Sequence, residues 1–262
     1  MLKYRLITAA ILIPLVVWVL LATSSQVFAG VITVFVLIGA WEWAALCGWQ
    51  TKLFRSFYII SVGLLLLVSY WFRQYMAYTL FIAVVWWLLA LYWTWQYQQE
   101  HDLLPTSPLV KALCGLVILI PAWVALLLLR EQFDGQWVLF LLVLIWAADS
   151  GAYFAGKRWG KVKLADKVSP GKTLEGVAGA LLMGLVIAMV YTQSILLILL
   201  CLLTILVSIL GDLLESMFKR QMSMKDSGNI LPGHGGMLDR IDSLTSATPI
   251  FVGGLILLKF LG

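Results

Sequence analysis

Leu174 to Asp212 reads LEGVAGALLMGLVIAMVYTQSILLILLCLLTILVSILGD. Two apolar runs, 174–192 and 194–212, meet at the polar turn Thr192-Gln193-Ser194. Each run is long enough to cross a bilayer, which takes roughly 17–25 mainly apolar residues. So short a turn sends the chain straight back. The stretch therefore predicts an antiparallel transmembrane hairpin with both far ends on one side of the membrane. Glu175 opens it and Asp212 closes it, the only acids in the stretch.

The pattern recurs on both sides of this hairpin. Nine spans are predicted, at about 6–22, 27–47, 56–72, 76–95, 111–129, 136–150, 174–192, 194–212 and 245–261. The whole chain has 262 residues, of which 62% are hydrophobic and 12% charged, with a mean hydropathy of +0.98. Soluble domains carry about 45–50% apolar and about 25% charged residues. The excess of apolar surface needs lipid as its solvent. The fold class expected is all-α, a polytopic integral membrane protein. No internal repeat or low-complexity linker divides it, so residues 1–262 are read as one membrane domain. Residues 1–145 supply N-terminal spans, and 146–262 supply the catalytic helices and loops. Lys3 and Arg5 before the first run imitate a signal peptide, but the run is long and no clear small-residue cleavage site follows, so an uncleaved span is expected. Cys47, Cys114 and Cys201 form no paired motif and read as buried thiols. Trp86, Trp87, Trp93 and Trp95 read as interfacial anchors.

Charge placement orients the spans. With the N-terminus in the cytoplasm, 15 of the 18 Lys and Arg residues fall on inner segments; only Arg73, Arg130 and Lys259 fall outside. The positive-inside rule thus favours an N-terminus in the cytoplasm and a C-terminus outside. The net charge of +5 does not indicate nucleic acid, because the cations sit in short loops between apolar runs. The two largest inner segments, about 151–173 and 213–244, face the same side. There a water-soluble substrate could meet a lipid.

Those two segments hold most of the chemistry-bearing residues. The second contains SMFKRQMSMKDSGNILPGHGGMLDRIDS from Ser216 to Ser243. Carboxylates, cations and glycines crowd together in it, and glycines let backbone N–H groups approach a ligand closely. Asp212 with Glu215, and Asp239 with Asp242, are three residues apart and share a face if helical. Oxygen ligands of this kind suit magnesium rather than zinc. In the first segment, Ser169-Pro170-Gly171-Lys172-Thr173 precedes an apolar run. A P-loop would need glycine at 166, where the chain has Asp166, and a preceding strand; neither is read here, so a P-loop NTPase is rejected. Thr173 can still cap the next helix, whose N-terminus attracts phosphate, and Lys172 adds a point charge. The alternative is a basic loop that holds anionic headgroups. Asp149 and Glu175 are either functional acids or solvated helix ends. Glu42, between Trp41 and Trp43, either pairs with a basic group of the site or supports packing.

The segment from Ser216 resembles the signature of the phosphatidate cytidylyltransferases (CDP-diacylglycerol synthases) at every fixed position. That pattern reads S-x-apolar-K-R, four residues, K-D-x-small, two residues, apolar-P-x-H-G-G-apolar-x-D-R-apolar-D. Ala148-Asp149-Ser150-Gly151-Ala152-Tyr153 and the S-P-x-K-T-x-E-G run from Ser169 resemble the same family. The resemblance covers about 146–243 and, more loosely, the opening MLKYR and the Glu42 region. It implies transfer of a cytidylyl group from CTP to phosphatidate, with magnesium as cofactor and room for a second cation, at the cytoplasmic face of a bacterial inner membrane. It implies catalytic roles for Asp149, Asp212, Lys219, Arg220, Asp226, His234, Asp239 and Asp242. It implies substrate binding by Ser169, Lys172, Thr173, Glu175, Lys225, Gly235, Gly236 and Arg240, with metal on Asp212 and Asp239. CTP, phosphatidate and the bilayer are the partners, and a homodimer is allowed. Two rival functions remain: a CTP-dependent lipid kinase, which would attack the γ-phosphorus, and a transporter, which would place charges near the midplane between repeats.

Overall fold

The structure, a computed structural model, describes residues 14–99, 101, 103–230 and 235–261. Residues 14–22 are helical (α1). Then follow α2 (Ser25–Leu46), α3 (Lys52–Trp71), α4 (Met76–Gln98), α5 (Pro108–Gln132) and α6 (Gly135–Trp159). A two-stranded antiparallel hairpin, β1 (Lys163–Ala165) and β2 (Ser169–Thr173), leads into α7 (Leu174–Tyr191), α8 (Ile195–Gln221) and α9 (Leu238–Leu261). Among the described residues, eight helices, α2 to α9, are long and apolar enough to cross a membrane. The first predicted span, 6–22, lies partly outside the described residues.

Helix α5 is the most enclosed span and packs against α2, α3, α4, α6 and α9. Large apolar side chains on α3 and α4, such as Phe57, Leu64, Phe81 and Leu88, are exposed. That is the surface a bilayer would solvate. Without a hydrophobic drive between helices in lipid, polar contacts and close approach must help hold them together. Trp43 Nε1 donates to the Lys111 carbonyl at 2.8 Å, and Tyr58 Oη to the Ala112 carbonyl at 2.9 Å, tying α2 and α3 to α5. Ser246 Oγ donates to the Val207 carbonyl at 2.8 Å, tying α9 to α8. Gly211 makes that approach feasible, since a β-carbon there would overlap Ser246 Oγ and the Asp242 carbonyl. Cys47, Cys114 and Cys201 are all free and buried.

The predicted hairpin forms: α7 and α8 are joined by residues 192–194, and Ser194 Oγ accepts the Leu197 N–H at its turn. Helix ends on the opposite side differ from expectation. Asp149 does not close α6, which continues to Trp159, and Asp212 does not end α8, which continues to Gln221. Helix α9 starts at Leu238, well before 245. The physical reason is common to all three. Hydropathy falls at the first charges, but the backbone ladder needs no apolar side chains and continues through them: Glu215, Lys219 and Asp239 are paired inside the protein, while Lys157, Arg158 and Arg240 extend into exposed turns. The segment 151–173 also holds the β-hairpin, so the expected absence of a strand near the Ser169 motif was wrong: the motif is itself β2. Lys163 lies opposite Thr173, and Ala165 opposite Ser169.

The two polar segments meet at the same end of the bundle, where Arg220 Nε donates to the Val168 carbonyl at 3.3 Å. This makes topology testable. Lys161 and Asn229 are both exposed. Cysteines placed at these positions, in a chain lacking its three native cysteines, should behave alike toward an impermeant thiol reagent. Protection of both in intact cells, with labelling after lysis, is expected. Labelling of either one from outside would overturn the orientation expected from charge placement.

Candidate active site

Four helices and the hairpin bring the charged groups together: α6, α7, α8 and α9, with β2 between them. Thr173 ends β2 and caps α7, its Oγ1 accepting the Gly176 N–H at 3.1 Å. The preceding residue, Lys172, places its Nζ 2.7 Å from Asp212 Oδ2 on α8. Glu175, in the first turn of α7, accepts the Val162 N–H at 3.2 Å and so ties the hairpin's entry to the helix. Helix N-termini carry unpaired N–H groups and partial positive charge. A capped α7 with Lys172 beside it is therefore suited to an anion.

Asp239, in the first turn of α9, is the most heavily bonded acid of the site. Its Oδ1 lies 2.6 Å from Lys219 Nζ. Its Oδ2 accepts from Ser227 N at 2.9 Å, Ser227 Oγ at 3.0 Å and Gly236 N at 2.9 Å. The bond back to Gly236 resembles the reciprocal arm of a capping box. Lys219 also lies 3.2 Å from Glu215 Oε1. Side-chain exposure is 7% for Asp239 and 10% for Lys219, against 36% for Asp212 and 22% for Lys172. The first ion pair is buried and the second is partly solvated.

Asp242 lies one turn beyond Asp239 and lines a small cavity with Glu215, Gly211 and Trp43. Asp149 on α6 is an electrostatic neighbour of Asp212, Lys172 and Arg240. Five carboxylates (Asp149, Asp212, Glu215, Asp239 and Asp242) thus face three cations (Lys172, Lys219 and Arg240). Among the described residues, no three His, Cys, Asp or Glu side chains are already arranged as a metal cage.

The other expected residues sort into distinct places. Arg220 is exposed and braces the loops, its Nε on Val168 and its Nη1 3.5 Å from the Met224 carbonyl. Lys225 and Asp226 are exposed in the loop after α8, and Ser169 is half-buried in β2. Arg240 is exposed on α9, while Gly236 is buried. Gly235 has φ +81°, the left-handed region that glycine favours. His234 lies outside the described residues. Sequence reasoning passed over Ser227, which bonds Asp239 and Glu42, and it grouped Glu215 with Asp212 but not with Lys219, its ion-pair partner. Glu215 carried one available signal, its four-residue spacing from Lys219.

Residues 3–258 match the cytidylyltransferase family. The chain is 43% identical over 260 residues to the phosphatidate cytidylyltransferase of Pseudomonas aeruginosa, covering 96% of each. It is 38% identical over 280 residues to that of Haemophilus influenzae, covering 96% of this chain and 97% of the relative. A phosphatidate cytidylyltransferase of Bacillus subtilis is 47% identical over 126 residues, 45% of this chain and 47% of the relative.

Two glycines of the site separate backbone need from mere composition. Gly171 has open space around a would-be β-carbon, whereas at Gly235 that atom would sit 3.1 Å from Asp239 Oδ2 on a left-handed backbone. Gly235→Ala should cost about 1–2 kcal/mol through the left-handed backbone alone. Gly171→Ala should be close to neutral. Thermal unfolding of the purified variants in detergent checks this; equal midpoints for the two would contradict the assigned loop geometry.

Proposed function

Since the chain belongs to the cytidylyltransferase family, we propose that it transfers the cytidylyl group of CTP to phosphatidate, giving CDP-diacylglycerol and pyrophosphate. One observation supports this most: Lys172 at the N-terminus of α7 meets Asp212 beside the Lys219–Asp239 pair, all at one end of a membrane-spanning bundle. A lipid phosphate can reach that end without leaving the bilayer. A nucleotide can reach it from water. The distribution of basic residues supports a cytoplasmic site in a bacterial inner membrane.

The lipid brings its own nucleophile, an ionised phosphate oxygen. It attacks the α-phosphorus of CTP, a new P–O bond forms, and the bond to the β-phosphate oxygen breaks to release pyrophosphate. No strong base is needed. The protein's task is positioning and charge neutralisation. Lys172 and the N–H groups at the start of α7 would meet the triphosphate. Lys225 and Arg240, both exposed, would add positive charge, and His234 with Gly235 and Gly236 would close on phosphate. Arg220 and Glu175 would hold the loops in place through the bonds described above.

The excess of carboxylates favours a cation, and we assign magnesium to it. Asp212 fits: it is partly solvated, Lys172 takes up its Oδ2, and its Oδ1 accepts only a 3.3 Å bond from the Ser216 hydroxyl. Asp239 fits as a ligand only if Lys219 leaves its Oδ1, because its other oxygen already accepts three donors. Asp212 would therefore be the main holder, with Asp149 beside it. When bound, magnesium would neutralise triphosphate oxygens.

Purified protein given phosphatidate and CTP labelled at the α-phosphorus should transfer the label to lipid and release pyrophosphate. Release of CDP, with γ-label in lipid, would identify a lipid kinase instead. In the same assay Lys172→Ala should raise KM for CTP roughly ten- to hundred-fold, the loss of one charge-assisted hydrogen bond. A smaller fall in kcat and little change in KM for phosphatidate are expected. A defect confined to phosphatidate would move Lys172 to the lipid headgroup.

A further inference from the structure

Glu42 belongs to α2, far in sequence from every other residue of the site. It is 2% exposed. Its Oε1 accepts the Met237 N–H at 3.0 Å, and its Oε2 accepts the Leu238 N–H at 2.7 Å and the Ser227 O–H at 3.1 Å. Neither reading made from sequence describes this. These partners are neutral donors, not a basic group, and they are too specific for packing alone.

Met237 and Leu238 present the unpaired N–H groups that open α9. A carboxylate there lies at the positive end of the helix dipole. Ser227 lies at the other end of the loop, and its Oγ touches both Glu42 and Asp239. A hydroxyl has one proton to donate, so Ser227 can fully serve only one carboxylate at a time. The loop leaves space for this contact. A β-carbon at Gly228 would overlap Glu42 Oε1, and one at Gly236 would overlap Ser227 Oγ and crowd Glu42 Oε2. Glu42 and Asp239 thus both hold the loop's ends, the first through Met237, Leu238 and Ser227, the second through Gly236 and Ser227.

We propose that Glu42 is a positioning residue for the transfer reaction: it pins Ser227 and the first turn of α9 together, so that Asp239 stays aimed at Lys219. The kinetic part of this inference rests on the function proposed above. A carboxylate on an N-terminal span would then set the geometry of a site built by the C-terminal half of the chain.

The test uses the full chain, purified in detergent, with Glu42→Gln and Glu42→Ala. Gln keeps the volume and one acceptor oxygen but turns an NH2 toward donors, so it should remain folded. Glu42→Gln should lower kcat roughly ten-fold and Glu42→Ala roughly hundred-fold, as misplacement of a reacting frame by about 1 Å can do. KM for CTP and for phosphatidate should each change by less than about threefold, since Glu42 touches neither. Hydrogen exchange gives a readout independent of the reaction: peptides covering 225–240 should exchange faster in both variants, while those covering α7 stay unchanged. Wild-type exchange in 225–240 would overturn the clamp itself. Faster exchange with kcat within twofold of wild type, or with the loss confined to KM, would overturn the positioning role. If Glu42→Ala does not fold, Glu42→Gln decides. If the wild-type chain makes no CDP-diacylglycerol, the function fails, and the exchange result alone judges the clamp.

Discussion

The site depends on the buried contact between Lys219 and Asp239. A charge taken out of water is costly unless it is paired and hydrogen-bonded. Lys219 answers that cost with two acids from different helices, Glu215 and Asp239. Asp239 answers it with Lys219 and three further donors. Neither side chain could sit at this depth alone. The pair therefore fixes how α8 and α9 meet, and it fixes the polar loop that joins them.

The remaining parts follow from that constraint. Gly211 and Ser246 let α9 lie close to α8, so that Asp239 and Asp242 face the carboxylates of α8. Glu42 binds the same helix start from α2. On the other side, β2 delivers Lys172 to Asp212, and Thr173 begins α7 at the same place. The two ion pairs differ in exposure, and this divides their tasks. The buried one holds the frame. The partly solvated one is open to water, and in the proposed reaction a nucleotide phosphate or a cation would compete there for Asp212 and Lys172.

Much of this was legible in the sequence, for a physical reason. A span needs a long apolar run because lipid offers its backbone no partners, and α2 to α5, α7 and α8 are close to where such runs lie. The α7–α8 turn was legible from three polar residues. Inner helix ends were not, since α6, α8 and α9 continue past the point where hydropathy falls, through charged turns. The hairpin of Lys163–Thr173 is short and half-polar, and hydropathy does not register it. The site's residue types stood out because acids are scarce in such a chain. Their pairing did not: Lys172 with Asp212, and Glu42 with Met237, Leu238 and Ser227, join residues brought together only by tertiary packing. Glu42 shows the limit most clearly. Its cost inside an apolar span signals a role, but only the position of α9 reveals which donors it serves.

A thermal double-mutant cycle on Lys219 and Asp239 tests the central claim most directly. Removing one partner of a buried pair strands the other, while removing both relieves it. Unfolding midpoints of Lys219→Met, Asp239→Asn and the double variant should therefore be strongly non-additive, with the double variant losing much less than the sum of the single losses. Single losses that simply add would show that the two charges do not depend on one another, and would contradict this account of the site.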